Sequence, residues 1–242
     1  MNAIEDNIYA KNWEQLGKDL PRPKAILCIS AHWTIPNATY VTAMKRPETI
    51  HDFYGFPDKL FQLSYPAPGD TVLARSITDL VKNPKIQLDE RWGLDHGTWS
   101  VLCRMYPEAN IPVVQLSLDE SKSPQFHFDL AKQLRSLREK GVLIIGSGNL
   151  VHNLSQLRMH AKPFDWTLEF DQKMTEFLQD RNDQAVIDFL KLGSLANLAH
   201  PTHEHFLPLI YTLAQFDSAE TVQFFNEGFE FGSISMRSFL SK

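Results

Sequence analysis

The stretch that decides the fold is Ala25-Ile26-Leu27-Cys28-Ile29, which leads directly into Ser30-Ala31-His32-Trp33. A continuous apolar run of this length is typical of a strand that is buried on both faces of a sheet. The run ends in polar residues and a histidine. We therefore expect this strand to contribute both to the core and, at its carboxyl end, to a polar site.

Similar apolar runs recur along the chain and alternate with segments of helical periodicity. Strands are predicted at 39–43, 85–88, 112–118, 142–145, 221–225 and 232–238. Helices are predicted at 4–20, 70–81, 102–106, 124–140, 166–179, 184–191 and 209–216. This alternation predicts an α/β fold with a largely parallel central sheet and helices on both faces. No linker or shift in composition divides the 242 residues, so we expect a single domain spanning 1–242.

Composition excludes several classes of protein. The formal net charge of -5 comes from intermixed acids and bases, whereas a nucleic-acid surface needs clustered Lys and Arg. No apolar run approaches the ~20 residues that span a bilayer, and residues 1–20 do not resemble a signal sequence. Cys28 and Cys103 are the only cysteines, too few for a disulfide scaffold. We expect a soluble, cytoplasmic protein with neither nucleic acid nor membrane as partner.

Three of the nine histidines, His32, His96 and His152, each follow a predicted strand. In α/β folds ligands bind where the carboxyl ends of the strands open out, so we expect these side chains to share a site. A further histidine, His51, lies in the irregular stretch Thr49-Ile50-His51-Asp52-Phe53-Tyr54-Gly55-Phe56-Pro57. Its imidazole suits metal binding and proton transfer alike. A histidine packed in an ordinary loop is the alternative.

Histidines spread over distant loops fit a catalytic metal better than a structural one, because structural zinc usually takes closely spaced cysteines. Imidazole suits zinc and iron equally. Pro208 is tolerated only in the first turn of a helix, which places His203 and His205 at or just before a helix start.

Two other kinds of site are disfavoured by the motifs. A phosphate site at 146–148 would lack the third glycine of a dinucleotide site, and the chain has no Gly-x-Ser-x-Gly motif of the kind that predicts a serine hydrolase.

Six motifs occur in order over nearly the whole chain. They are Ser30-Ala31-His32-Trp33, Thr49-Ile50-His51-Asp52-Phe53-Tyr54-Gly55-Phe56-Pro57, Tyr65-Pro66-Ala67-Pro68-Gly69, Asp95-His96-Gly97, Gly148-Asn149-Leu150-Val151-His152-Asn153 and Glu204-His205-Phe206-Leu207-Pro208. Together they resemble the motifs of the class III extradiol aromatic ring-opening dioxygenases, and within them those of the DOPA dioxygenase branch.

The resemblance implies a domain related to the protocatechuate 4,5-dioxygenase catalytic subunit, which opens a catechol-type aromatic with O2 at a non-haem Fe(II) or Zn(II). It implies that His51 and His205 ligate the metal. It also places His152 beside the metal, as catalytic acid/base or a further ligand. His96 matches a second catalytic histidine at the rim of the pocket.

His32 matches a further rim histidine, which we assign to substrate binding. The aromatic rings of Phe53, Tyr54 and Trp99 are of a kind that can sandwich a substrate ring. For Trp99, a place in the core is the alternative. The expected partners are a small aromatic diol and O2, and assembly into a homo-oligomer stays open.

One departure from the family pattern concerns the start of the chain. Members of this branch begin with an apolar strand and a Gly-His-Gly-Ser-Pro segment just before the residues that match Met1-Asn2, and its histidine is a metal ligand. We therefore expect the N-terminal strand and this ligand to be missing here. Two other functions stay open: a zinc-dependent hydrolase on a similar scaffold, in which zinc activates water, and a non-catalytic truncated remnant.

Overall fold

The computed structural model describes residues 1–242. Its strands are β1 (Ala25–Thr34), β2 (Thr39–Thr42), β3 (Ile86–Asp89), β4 (Val113–Leu118), β5 (Val142–Ser147), β6 (Val222–Phe225), β7 (Phe229–Glu230), β8 (Ile234–Ser235) and β9 (Ser238–Ser241). Its helices are α1 (Ile8–Asp19), α2 (Asp58–Phe61), α3 (Thr71–Leu80), α4 (His96–Met105), α5 (Pro124–Gln133), α6 (Ser136–Glu139), α7 (Asp165–Gln179), α8 (Asp183–Ile187), α9 (Ser194–Ala199) and α10 (Leu207–Leu213). Two 3-10 helices lie at Leu154–Gln156 and Phe189–Leu192.

These elements form two compact units. The sheet unit comprises Met1–Ser121 with Gln133–Ser147, and the helical unit comprises Lys122–Lys132 with Gly148–Lys242. None of the helices combines the length and the apolar character needed to cross a membrane. The expectation of one domain over 1–242 stays a prediction.

The sheet unit contains the five-stranded sheet, in the order β3-β2-β4-β1-β5. β1 pairs in parallel with β4 and β5, and β2 pairs in parallel with β3, whereas β2 meets β4 in the antiparallel direction. The predicted α/β class with a largely parallel central sheet is therefore confirmed. The antiparallel pair joins two parallel groups of strands into one sheet.

β1 lies between two neighbours, and its apolar run is buried as predicted, with Ile26, Leu27 and Ile29 at 0% exposure. The strand is longer than expected. After an irregularity between Ile29 and Thr34, it pairs again with Leu118 of β4. His32 therefore lies inside β1, near its carboxyl end, and not after the strand. The strand extends this far because the neighbouring strand supplies backbone partners that no local pattern reveals.

Local signals predicted some helix boundaries correctly. Asp70 caps α3, as expected, by accepting hydrogen bonds from the backbone N–H groups of Val72 and Leu73. The helix predicted over 124–140 is instead two helices, α5 and α6, and residues 134–135 carry neither proline nor glycine to mark the break. The strand predicted at 232–238 was also wrong in extent, since it is divided between β8 and β9.

The helical unit packs α7, α9 and α10 around an apolar cluster that includes Phe170, Phe189 and Phe206, each at 0% exposure. A buried ion pair joins its C-terminal strands to α7. The Asp171 carboxylate accepts hydrogen bonds from the Ser235 hydroxyl at 2.6 Å and from the Arg237 Nε at 2.9 Å. These bonds satisfy a carboxylate that is only 2% exposed, which limits the cost of its burial.

His200 is one of two fully buried histidines of the helical unit, the other being His127. Its Nε2 donates to the Leu150 carbonyl at 2.9 Å, and its ring lies against Phe170 and Phe206. Burial lowers the pKa of His200 from 6.5 to about 3, because the charged imidazolium would lose its hydration. Between these values the unfolded chain binds a proton that the folded chain does not. Stability is therefore lost as the pH falls from about 6.5 toward 3.

We expect the variant His200→Gln to flatten this pH dependence, since glutamine keeps a donor for the Leu150 carbonyl and does not titrate. The free energy of unfolding of the unmodified chain should fall more steeply than that of the variant over this range, by at most roughly 1.4 kcal/mol per pH unit. Urea denaturation at a series of pH values measures both slopes. His160→Gln, at an exposed position, serves as control. Parallel curves for His200→Gln and the unmodified chain would contradict the assignment.

Candidate active site

In the sheet unit, two of the predicted histidines share one carboxylate. The Nδ1 atoms of His32 and His96 lie 3.3 Å and 3.0 Å from Oδ2 of Asp52. The other carboxylate oxygen, Oδ1, accepts the backbone N–H of His96 at 2.8 Å. The centroids of the two imidazole rings are 3.9 Å apart. We call these three residues the Asp52 cluster.

The helix predicted at 102–106 begins earlier than expected, because His96 is the first residue of α4. Asp95, which has no exposed surface, is the N-cap and accepts the Thr98 N–H at 3.0 Å. Its other oxygen accepts the side-chain amide of Gln115, from β4, at 2.7 Å. The helix therefore begins at a position set by the sheet, and the carboxylate of Asp52 lies at its N-terminus, where negative charge is favoured.

The electrostatics of the Asp52 cluster favour an ionised carboxylate. Burial by itself raises the pKa of Asp52, but the contacts from the side chain and backbone of His96 and the charge of His32 outweigh it. The net effect is a pKa below the usual value for aspartate. Gly97 supports this arrangement, because a Cβ there would lie 2.4 Å from the Ser30 Oγ and 2.9 Å from the His32 ring.

His51 also lies in the sheet unit, next in sequence to Asp52, but it is not part of the Asp52 cluster. Its Nε2 donates to the Leu63 carbonyl at 3.0 Å, and its ring contacts Phe53 and Trp99. Since a carbonyl only accepts, Nε2 carries the hydrogen and Nδ1 is the unprotonated nitrogen. A backbone carbonyl that orients an imidazole in this way is common behind metal ligands.

The three aromatic residues predicted to bind substrate differ in exposure. Tyr54 is 91% exposed and Phe53 is half-buried. Trp99 has no exposed surface, and its indole N–H donates to the Ile50 carbonyl at 2.8 Å. In this conformation Trp99 supports the loop that carries His51. A contact of these rings with substrate stays a prediction.

In the helical unit, His152 and His205 stack with ring centroids 3.4 Å apart and an angle of 8° between the ring planes. Glu204 lies beside them, and one potential ligand atom from each of the three residues falls within 4.8 Å of the others. The His152 N–H donates to the Ala199 carbonyl, which holds the backbone of this residue. We call these three residues the His152 cluster.

Asn149 holds His205 at two points. Its backbone N–H donates to the His205 carbonyl at 3.0 Å, and its side-chain Oδ1 lies 3.2 Å from the His205 Nδ1. The side-chain amide donates to the Ser235 carbonyl at 3.1 Å, so the oxygen must face the imidazole. His205 therefore carries its hydrogen on Nδ1 and leaves Nε2 unprotonated. A Cβ on Gly148 would lie 2.2 Å from the His205 carbonyl oxygen, so this close approach requires glycine.

The donor set of the His152 cluster fits a divalent metal. Two imidazoles and one carboxylate are the ligand types that non-haem iron and zinc both accept. All three side chains are half-buried, so ligand atoms remain within reach of an ion. The Asp52 cluster has the same composition, but there the carboxylate already faces both Nδ1 atoms.

The structure thus brings His32 together with His96, and His152 together with His205. Three residues, two of them in these clusters and one in contact with His205, were quoted within motifs but were not assigned a role: Asp52, Glu204 and Asn149. A usable signal existed for two of them, since Asp52 is next to His51 and Glu204 is next to His205. Asn149 could not be found in this way, because its role depends on a partner 56 residues away.

The chain belongs to the family described as the catalytic LigB subunit of aromatic ring-opening dioxygenase, which it matches over residues 5–237. It is thus a dioxygenase enzyme, and the predicted membership of the class III extradiol group is confirmed. It is similar to a 4,5-DOPA dioxygenase extradiol from Escherichia coli K12, with 44% identity over 98% of this chain and 89% of the relative.

Plant proteins and a solved structure are similar as well. The 4,5-DOPA dioxygenase extradiol of Mirabilis jalapa is 38% identical over 83% of this chain and 76% of its own length. The Beta vulgaris protein of the same name is 34% identical over 99% of this chain and 91% of its own. The crystal structure of an uncharacterized protein from Escherichia coli K12 superposes with a TM-score of 0.85 at 39% identity, covering 98% of this chain and 93% of that one.

We expect Asp95→Ala to cost more stability than Asp70→Ala, although both remove an N-cap. Asp70 is half-buried, and its loss should cost about 1 kcal/mol of unfolding free energy. Loss of Asp95 also leaves the buried Gln115 amide unpaired, which should bring the cost to roughly 2–4 kcal/mol. Urea denaturation of both variants measures the difference. Equal losses would show that the Asp95 network does not anchor α4.

Proposed function

We propose that this chain opens the ring of a DOPA-like catechol by extradiol cleavage, consuming O2 at a non-haem metal, Fe(II) or Zn(II). The observation that carries the proposal is the stacked pair of His152 and His205, with the Nδ1 of His205 facing the side-chain oxygen of Asn149. Both residues belong to motifs that match the family. The names of the relatives support DOPA as the substrate class.

In the proposed site His205 binds the metal through Nε2, with Asn149 fixing its tautomer. His51, whose unprotonated nitrogen is Nδ1, is proposed as a second ligand on the basis of the family motif. His152 takes a phenolic proton from the substrate, or contributes a further ligand. When bound, the metal supplies a Lewis-acidic centre and, as iron, a redox-active one, for the diol and O2.

The reaction breaks the ring bond between a hydroxyl-bearing carbon and its unsubstituted neighbour and places both atoms of O2 in the product. Side chains of the protein transfer the protons. His152 and His96 are the proposed proton-transfer residues, and His32, Phe53, Tyr54 and Trp99 the proposed substrate contacts. The family match favours this reaction over a zinc-dependent hydrolase. A cytoplasmic location and a homo-oligomeric state stay predictions.

The first experiment compares His152→Ala with the unmodified chain. After anaerobic loading with Fe(II), we expect O2 uptake and a coloured ring-opened product from DOPA, and no uptake with the monophenol tyrosine. In the variant, product formation should fall by roughly 10²–10⁴-fold, because a proton-transfer group is lost. His160→Ala, at an exposed position, should retain the activity.

Metal content is measured on the same samples. Retention of metal by inactive His152→Ala would assign the residue to proton transfer, and loss of metal would assign it to ligation. Intact turnover by His152→Ala would contradict both roles. Absence of O2 uptake by the loaded, unmodified chain with every catechol tested would contradict the proposed function itself.

A second experiment tests Asn149. We expect Asn149→Leu to weaken metal binding by roughly 10–100-fold, because His205 loses the acceptor that fixes its tautomer. Competition with a chromophoric chelator, using Zn(II) and anaerobic Fe(II), measures the dissociation constants without reference to activity. Asn197→Leu makes the same substitution at an exposed position of α9 and should leave the affinity unchanged. Equal affinities for Asn149→Leu and the unmodified chain would overturn the role of Asn149.

A further inference from the structure

The backbone that carries His152 is held on one side by the end of α9. The His152 N–H donates to the Ala199 carbonyl at 3.0 Å. His200, the next residue along, donates from its Nε2 to the Leu150 carbonyl at 2.9 Å. In an extended chain the C=O of one residue and the N–H of the residue two positions later point to the same side, so these two bonds form a short ladder.

The strand β8 and the residue before it hold the opposite side of the same segment. The Val151 carbonyl accepts the Ser235 N–H at 3.0 Å, and the Asn153 N–H donates to the Ser233 carbonyl at 3.2 Å. The segment therefore lies like a strand between two rows of partners. The bond from His200 completes the row on the α9 side.

The surroundings of His200 would accept an apolar side chain at lower cost than an imidazole. Its ring has no exposed surface and lies edge-on to the rings of Phe170, Phe189 and Phe206, with centroids 5.6, 6.1 and 5.2 Å away. Since a carbonyl only accepts, Nε2 carries the hydrogen, and the buried Nδ1 has no hydrogen-bond partner. A buried polar atom without a partner costs free energy. What an imidazole offers here, and an apolar side chain does not, is the hydrogen bond to Leu150.

We infer that His200 is a positioning residue, which acts through the Leu150 carbonyl to hold the backbone of His152 and, with it, the imidazole proposed to act on the substrate. This inference rests on the proposed function and deepens it. Leu150 and Val151 are 3% and 0% exposed, so a Leu150 carbonyl without its donor reaches water only if the segment moves. Such a movement displaces His152, and a misplacement of about 1 Å can cost roughly 10²-fold in rate.

Two variants with unbranched side chains of equal length separate the donor from the packing. In His200→Gln the amide nitrogen can reach the position of Nε2 and donate to Leu150, whereas in His200→Met a methyl group takes its place. Leu178→Ala serves as control, because it removes buried apolar contacts of the same cluster but no side-chain hydrogen bond. Urea denaturation establishes that each variant is folded under the assay conditions.

Turnover of DOPA by Fe(II)-loaded protein is the first readout. We expect His200→Met to lower kcat by roughly 10–100-fold and to leave KM within about twofold, because the reacting group is displaced. His200→Gln and Leu178→Ala should retain the kcat of the unmodified chain. If His200 acts through His152, adding His200→Met to His152→Ala should cause less than about a twofold further loss, whereas independent roles would multiply.

Two readouts on metal-free protein do not depend on turnover. In long-range ¹H–¹⁵N spectra of protein labelled with ¹⁵N-histidine, the signal that His200→Gln removes should be that of an Nε2–H tautomer. The backbone amide of His152 should exchange its hydrogen roughly tenfold faster in His200→Met than in His200→Gln, because the ladder that protects it is broken. Hydrogen exchange followed by NMR measures this rate.

The outcomes separate this inference from the proposed function. Equal kcat values or equal exchange rates for His200→Met and His200→Gln would overturn the positioning role, as would multiplicative losses in the double variant. An Nδ1–H tautomer of His200 in the unmodified chain would overturn it as well. If the unmodified chain cleaves no catechol, the proposed function fails, and the exchange rates at His152 still decide whether His200 holds this segment.

Discussion

The hydrogen bonds of the buried Asp95 carboxylate are the interaction on which the position of His96 depends. A carboxylate with no exposed surface must be fully hydrogen-bonded, because an unpaired buried charge is too costly to keep. Asp95 meets this condition with a backbone N–H of α4 and the amide of Gln115 in β4. The N-terminus of α4 is thereby fixed to the sheet. His96 is the next residue, so its position is fixed as well, and its backbone N–H and its ring both lie at Asp52.

In both histidine pairs, the side chain of another residue lies against one imidazole, but that residue differs between the pairs. In each, a polar oxygen faces an Nδ1 atom: Asp52 faces that of His96, and Asn149 faces that of His205. The amide of Asn149 is neutral, which suits an imidazole that binds a metal in its neutral form. The carboxylate of Asp52 is charged, which suits an imidazole that takes up a proton. The chemical difference between the partners matches the different roles proposed for His205 and His96.

Sequence reasoning predicted those elements whose signals are local. The buried run of β1, the Asp70 cap and the place of Pro208 at the start of α10 all follow from a few neighbouring residues. It failed where a distant partner decides the outcome. His32 lies within β1 because Leu118 pairs beyond the irregularity, and α4 begins at His96 because Gln115 holds its cap. The division between α5 and α6 has no mark in the sequence at all.

The α/β class, the family and the candidate histidines follow from the sequence by itself, because alternating patterns and ordered motifs are properties of the linear chain. Only the tertiary structure decided which histidines are neighbours and which atoms face their ring nitrogens. A tautomer depends on the atom that faces the ring, and that atom is supplied by residues distant in sequence. Asn149 and His205 are 56 positions apart, and the Asp52 contact with the His96 N–H spans 44. No local pattern encodes such a contact, so folding alone creates it.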